Sequence, residues 1–280
     1  MMIKHLSLIL ACLLVSPVVA HAEKNLIVTP TYEDLKYGNA SGHKLDVYTP
    51  TDVAKNAPII FMVHGGAWKI GDKTSDFVVK NKVEKWVSEG YIFVSTNYRF
   101  LPVAPYNQAQ DIRKALAFVQ THAREWGGDP DKVIMMGHSA GAHLVALVNA
   151  YPELAYRLKV KPWLGSVILD SAALDVVSIM EQKHHVLYDR AFSNKPFLWR
   201  RNSPDHQLKE DAFPMLLVCS TRREISCLQA RNFEEHAKSL GVKVSVSKQD
   251  LSHRNINKYL GLESEYTDIV DQFMNDLLGN

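Results

Sequence analysis

Lys132-Val133-Ile134-Met135-Met136-Gly137-His138-Ser139-Ala140-Gly141-Ala142-His143-Leu144 joins a short apolar run to a helix through a serine flanked by glycines. Its first five residues form a short apolar run, the signature of a buried strand. Ala142, His143, Leu144, Ala146 and Leu147 continue as a helix. Between them stands Gly137-His138-Ser139-Ala140-Gly141, a G-x-S-x-G sequence. Strand, serine and helix in this order describe a sharp turn that lifts the serine hydroxyl clear of the backbone, at the carboxyl edge of a sheet. Bulky neighbours do not fit such a turn, which accounts for a glycine two residues before and two after Ser139. The middle residue, His138, is expected to pack beside the site without proton chemistry.

A second motif lies upstream. Pro58-Ile59-Ile60-Phe61-Met62-Val63 reads as another buried strand and runs into His64-Gly65-Gly66-Ala67-Trp68. Acyl transfer builds negative charge on a carbonyl oxygen, and pre-aimed backbone N–H groups stabilise it. Adjacent glycines let the main chain approach a substrate closely. The expected donors are the N–H groups of Gly66 and Ala67, joined by that of Ala140 just after the serine. Trp68 has two readings, a wall of the substrate pocket or an anchor of this loop to the core.

HGGAW and GHSAG together resemble the α/β-hydrolase superfamily. They look like the esterase branch that holds hormone-sensitive-lipase-like enzymes, feruloyl-esterase-like carboxylesterases and kynurenine formamidases. Gly71-Asp72-Lys73, Asn97-Tyr98-Arg99, Gly127-Gly128-Asp129-Pro130 and Ser203-Pro204 ahead of Pro214-Met215-Leu216-Leu217-Val218 fit the same branch. The resemblance covers about residues 40 to 280. It implies an α/β-hydrolase fold, with a mostly parallel central sheet and helices on both faces, and hydrolytic chemistry. It implies no particular substrate.

The chain has 280 residues, 46% hydrophobic and 22% charged, which suits one α/β domain. A formal net charge of +2 with no basic block gives no reason to expect nucleic acid as a partner. Lys4 and His5 start the chain, Leu6 to Ala20 is apolar but short for a membrane span, and Ala20-His21-Ala22 fits a small-x-small cleavage rule. Residues 1–22 are therefore expected to be a signal peptide, the mature domain to run over 23–280 from Glu23, and the protein to be periplasmic or secreted without a stable membrane anchor. Lipidation at Cys12 is disfavoured, because only Leu6, Ser7 and Leu8 precede its box. The mature chain keeps Cys219 and Cys227, either a disulfide or two inert buried thiols. The disulfide is favoured, since it would close a small loop where rigidity is useful.

Leu45 and Val47 alternate like an exposed antiparallel strand. Buried runs follow at 58–63, 91–96, 132–136, 166–170 and 214–218, and Val242, Val244 and Val246 alternate like an edge strand. Helical faces appear at Val79, Val83, Trp86 and Val87, at Ile112, Ala115, Leu116, Val119 and Ala123, and at Ile269, Val270, Phe273, Met274, Leu277 and Leu278. Alternating strands and helices mean a mostly parallel sheet, with ligands beyond its carboxyl ends. Residues 175–211 exceed a simple crossover and are expected to form a small cap. Its aromatic residues Tyr188, Phe192, Phe197 and Trp199 either line the pocket or pack the insert against the body.

A serine hydroxyl needs a base, and in this fold the chain order is serine, acid, histidine. Leu251-Ser252-His253-Arg254-Asn255 lies past the last strand, so His253 is the expected base. His236 falls in a helical pattern too early and reads as a solvated residue. Relatives usually carry an aspartate a few residues beyond the strand equivalent to 215–218. Here the loop is Cys219-Ser220-Thr221-Arg222-Arg223-Glu224-Ile225-Ser226-Cys227, with Arg223 in the acid's column. Glu224, next to it, is the expected acid; Asp170, Asp175 and Asp250 are its rivals. The histidines contain no H-E-x-x-H or other metal spacing, so neither metal nor cofactor is expected. The reading is an exported serine hydrolase cleaving small or medium acyl or aryl esters. An arylformamidase or an inert scaffold used for binding are the alternatives. The sequence carries no signal for oligomeric state.

Overall fold

Eight strands form one sheet in the order β1-β2-β4-β3-β5-β6-β7-β8. The computed structural model describes residues 28–52 and 54–279. The strands are β1 (Tyr32–Lys36), β2 (Lys44–Tyr48), β3 (Ala57–Val63), β4 (Ile92–Thr96), β5 (Gly128–His138), β6 (Gly165–Leu169), β7 (Met215–Ser220) and β8 (Val244–Gln249). β1 and β2 pair antiparallel, as do β2 and β4, and every later pairing is parallel. Parallel strands need crossovers, which supply helices to both faces and leave the strands apolar throughout. β6, five residues long, is buried at every position.

Helices α1 (Asp76–Ser88), α2 (Pro105–His122), α3 (Ala140–Ala150) and α4 (Glu153–Tyr156) connect the first six strands. The segment between β6 and β7 holds four short helices, α5 (Val176–Met180), α6 (Val186–Phe192), α7 (Pro196–Asn202) and α8 (Pro204–Gln207). α9 (Glu224–Ser239), α10 (His253–Tyr259) and α11 (Glu265–Leu278) complete the chain. One sheet face is covered by a cluster that includes Trp86 of α1, Ile256 of α10, and Val270 and Met274 of α11. The other packs on α2, α3 and α9 through residues such as Ile112, Leu144 and Phe233. The helical faces at 79–87, 112–123 and 269–278 are thus the ones buried.

β2 departs from expectation. It is antiparallel, but Leu45, Val47 and Tyr48 are buried. β1 pairs along its outer side, so the exposed outer strand is the polar Tyr32-Glu33-Asp34-Leu35-Lys36. The expected signal segment and Cys12 lie outside the described residues.

The register sets the chemistry. Val63 stands opposite Gly137, His138 opposite Leu169, and Leu169 opposite Val218. The carboxyl ends of β3, β5, β6 and β7 therefore open side by side along one edge.

Candidate active site

Ser139 sits between β5 and α3 at φ 55 and ψ −117, a region a residue with a Cβ adopts only under constraint. Its N–H donates to Leu169 O at 2.9 Å, and its carbonyl accepts from His143 N at 3.0 Å. Gly141 explains the close helix packing: a Cβ there would lie 2.3 Å from Val63 O. The turn is held rigid on both sides, which is how so strained a residue persists.

The loop after β3 is held as firmly. Gly66 has φ +127, and a Cβ on it would lie 1.8 Å from Ile70 O, so no other residue fits. Ala67 and Trp68 are also left-handed, at φ 56 and 59. Gly66 O accepts from the N–H groups of Lys69 and Ile70 at 3.0 Å each, while Trp68 O accepts from Leu101 N and the Gln108 amide. The N–H groups of Gly66, Ala67 and Ala140 have no acceptor among the described residues. They border the cavity that Ser139 faces. His64 stacks on Tyr98 and its Nδ1 donates to Gly65 O at 2.6 Å; burial keeps its imidazole below the usual range, hence neutral. Trp68 fills both of its expected roles. Its indole N–H donates to His143 Nδ1 at 3.1 Å, and its ring lines the cavity. His143 in turn donates from Nε2 to Asn202 O at 2.7 Å, and burial pushes it down to about 4.

His253 opens α10, with Ser252 as its N-cap accepting from Asn255 N at 3.2 Å. His253 Nε2 lies 2.9 Å from Ser139 Oγ. His138 donates from Nε2 to the His253 carbonyl at 2.9 Å, and the two rings lie 4.5 Å apart. Burial, with His253 nearby, pushes His138 down to about 3, so it stays neutral and acts as a support. Lys82 of α1, fully buried, donates to Phe77 O and Asn257 O at 3.1 and 2.5 Å, pinning α10 from behind. Nothing in the sequence pattern singled out Lys82, which occupies a helix face otherwise apolar.

Glu224, the acid expected from the sequence, is not the carboxylate that reaches His253. His253 Nδ1 is 2.5 Å from Oδ2 of Asp170, the residue just after β6. Glu224 is exposed at the start of α9 and makes no bond to His253 among the described residues. The reason is geometric. Helix α9 begins at Glu224, and its first turn points that side chain outward. The neighbouring strand end, one sheet position closer to Ser139, supplies the carboxylate instead. Asp175 caps α5, accepting from Ser178 N, and Asp250 pairs with Arg222 at 2.8 Å at the surface. Burial alone would raise the Asp170 carboxyl. Hydrogen bonds from His253 and Ser226, the Arg223 charge and the Ser220 N–H outweigh it and hold the group well below the usual carboxylate range. Cys219 and Cys227 form a disulfide, with Cα atoms 5.1 Å apart.

The cavity over Ser139 has a volume of about 510 Å³. Ile70, Phe77, Leu187 and Tyr188 give it apolar walls. Away from it, Asp175, Asp205 and His206 bring ligand atoms within 4.8 Å of one another, but Asp175 is already committed to capping α5. His236 pairs with Asp205 at 3.0 Å.

The BD-FAE family model matches residues 45–235. The chain belongs to the BD-FAE family. The match runs from β2 through most of α9 and so includes both glycine motifs, Asp170 and the disulfide. This is an esterase family of α/β-hydrolases. Kynurenine formamidase of Danio rerio is 28% identical to the chain, with 94% of this chain and 83% of that protein covered. A probable carboxylic ester hydrolase of Mycobacterium tuberculosis, LipM, is 35% identical over 43% of this chain, which spans 28% of LipM. Among solved structures, Thermogutta terrifontis esterase 2 matches with a TM-score of 0.72 at 21% identity, covering 89% of this chain and 95% of that one. That likeness speaks to the fold.

Proposed function

We propose that this BD-FAE family member is a serine carboxylesterase acting on small or medium acyl or aryl esters through an acyl-enzyme. The observation that carries the reading is the unbroken chain Ser139 Oγ, His253 Nε2, His253 Nδ1, Asp170 Oδ2, with steps of 2.9 and 2.5 Å. Asp170 holds the proton on Nδ1, so Nε2 is free to take the proton of Ser139. Ser139 Oγ attacks the ester carbonyl, and the oxyanion is met by the N–H groups of Gly66, Ala67 and Ala140. His253 then donates its proton to the leaving alcohol, the acyl-enzyme forms, and a water activated by the same imidazole resolves it. No cofactor is required. The four short helices of residues 175–211 serve as the cap, with Leu187 and Tyr188 shaping the pocket. The intact geometry argues against an inert scaffold.

One observation favours a second reading of the same machinery. The formamidase relative is similar along nearly the whole chain, and formamide cleavage uses the same attack and oxyanion. Turnover of nitrophenyl esters of graded chain length, set against N-formylkynurenine, separates the two. A kcat/KM at least tenfold higher on a short ester supports the esterase, and the reverse order supports the formamidase. We further propose export, with a mature N-terminus at Glu23. The disulfide supports this, since such bonds persist in oxidising compartments. N-terminal sequencing of protein from the producing cells tests it, and Met1 retained on cytoplasmic protein refutes it.

A further inference from the structure

Four donor groups converge on the Asp170 carboxylate, and three of them come from one short segment. Oδ1 accepts from Ser220 N at 2.8 Å and from Ser226 Oγ at 2.5 Å. Oδ2 accepts from Arg223 Nη1 at 2.7 Å and from His253 Nδ1 at 2.5 Å. Arg223 Nη1 also reaches Asp170 O at 3.2 Å. Ser220, Arg223 and Ser226 all lie between Cys219 and Cys227, the residues joined by the disulfide. The loop expected to supply the acid instead supplies nearly everything that holds it. Asp170 is fully buried and its backbone is left-handed at φ 52, so its position depends on these partners.

Arg223 has a second relation to the site. Its Nη1 lies 2.7 Å from His253 Nδ1. Both nitrogens donate to the same oxygen, so this approach sets donor against donor. It places a permanent positive charge beside the ring nitrogen that becomes part of an imidazolium in the transition state.

We propose that the disulfide-closed segment 219–227 is a clamp for the catalytic acid, and that Arg223 is a positioning residue that also sets the pH range over which His253 accepts a proton. This deepens the proposed function and rests on Asp170 being the acid. A carboxylate beside a histidine favours the imidazolium; a guanidinium bound to the same oxygen opposes it. The other charged or titratable groups around His253 do not supply that opposition in the same way. The neutral His138 ring faces it from β5, Lys82 of α1 is spent on the carbonyls of Phe77 and Asn257, and Arg254 is stacked on Phe77 at 4.1 Å. Arg223 is the cation that touches the imidazole–carboxylate pair.

Charge and geometry can be separated. Arg223→Gln removes both and Arg223→Lys keeps the charge while losing the planar fork. Ser226→Ala and Cys219→Ala/Cys227→Ala loosen the clamp without touching the charge. Rates of a short nitrophenyl ester are measured across pH. They are normalised to fluorophosphonate-labelled sites, so any misfolded fraction drops out. The clamp predicts that Arg223→Gln lowers kcat about 10- to 100-fold with KM within about twofold. It also predicts that the acidic limb of kcat/KM moves up by roughly one pH unit, because the imidazolium loses a like-charged neighbour. Arg223→Lys should lower kcat yet leave the limb in place. Ser226→Ala and the double cysteine variant should lower kcat about tenfold with the limb unmoved. Asp170→Asn, measured alongside, tests the underlying assignment. If Asp170→Asn is nearly inactive while Arg223→Gln keeps the parent kcat and pH limb, the clamp is wrong and the acid assignment stands. If Asp170→Asn stays active, the acid assignment itself has failed.

Discussion

Asp170→Asn removes one charge and exchanges one oxygen for an NH₂ group, and the structure allows that amide no good orientation. If the NH₂ takes the Oδ2 position, it faces two donors, His253 Nδ1 and Arg223 Nη1. The imidazole then relieves the clash by moving its proton to Nε2, where it can no longer accept from Ser139. If the NH₂ takes the Oδ1 position, it faces the Ser220 N–H and strands a buried donor. Either arrangement costs stability, about 1–3 kcal/mol for one unsatisfied buried group. The first also disables the base. Loss of the correct tautomer in a serine–histidine–aspartate enzyme lowers kcat about 10⁴-fold. At about 1.36 kcal/mol per tenfold, that is roughly 5 kcal/mol of transition-state stabilisation. Glu224→Gln, at an exposed side chain, should change kcat by less than about twofold. Initial rates on a short nitrophenyl ester at neutral pH, with labelled-site counting, compare the two. An Asp170→Asn variant retaining more than about a tenth of the parent kcat would contradict this role for Asp170, most plainly beside an inactive Glu224→Gln.

Three further outcomes follow from named contacts. Gly66→Ala should abolish most activity, at least about 10²-fold, because its Cβ would meet Ile70 O and shift the oxyanion donors; steady-state kinetics on the folded variant checks it. Lys82→Met should lower the unfolding free energy by about 2–4 kcal/mol in a denaturant titration, since Phe77 O and Asn257 O would both lose their buried partner. The Asp170 carboxyl is held below its usual value of 3.8, so it binds fewer protons folded than unfolded and its stabilisation is lost as pH falls below that value. The stability gap between the parent and Asp170→Asn should accordingly narrow from about pH 5 to about pH 2 in urea titrations.

Ser139, His253 and the glycine loop after β3, the proposed nucleophile, base and oxyanion loop, were legible because each is fixed by local punctuation. Ser139 and Gly66 sit where an apolar run meets glycines, and His253 follows the last alternating strand. Asp170, the proposed acid, carries no such mark. An aspartate just past a strand is common, and Asp170 differs from Asp175 only through what lies beside it in the sheet. β6 and β7 are parallel neighbours, with Leu169 opposite Val218, so the ends of both reach the same imidazole. That adjacency is a tertiary fact. Glu224 was a reasonable substitute by sequence position, but the start of α9 turns it to solvent. Strand β1 escaped because Tyr32-Glu33-Asp34-Leu35-Lys36 is mostly exposed and carries little apolar alternation. Without β1, β2 looked like an exposed edge.

In the proposed mechanism Ser139 forms a covalent intermediate with the help of His253 and Asp170. Intact mass measurement after treatment with a fluorophosphonate, followed by peptide mapping, tests it most directly. A single adduct is expected on the peptide carrying Gly137-His138-Ser139-Ala140-Gly141, absent in Ser139→Ala along with nearly all ester turnover. An adduct on another residue, or undiminished turnover by purified Ser139→Ala protein, would contradict it.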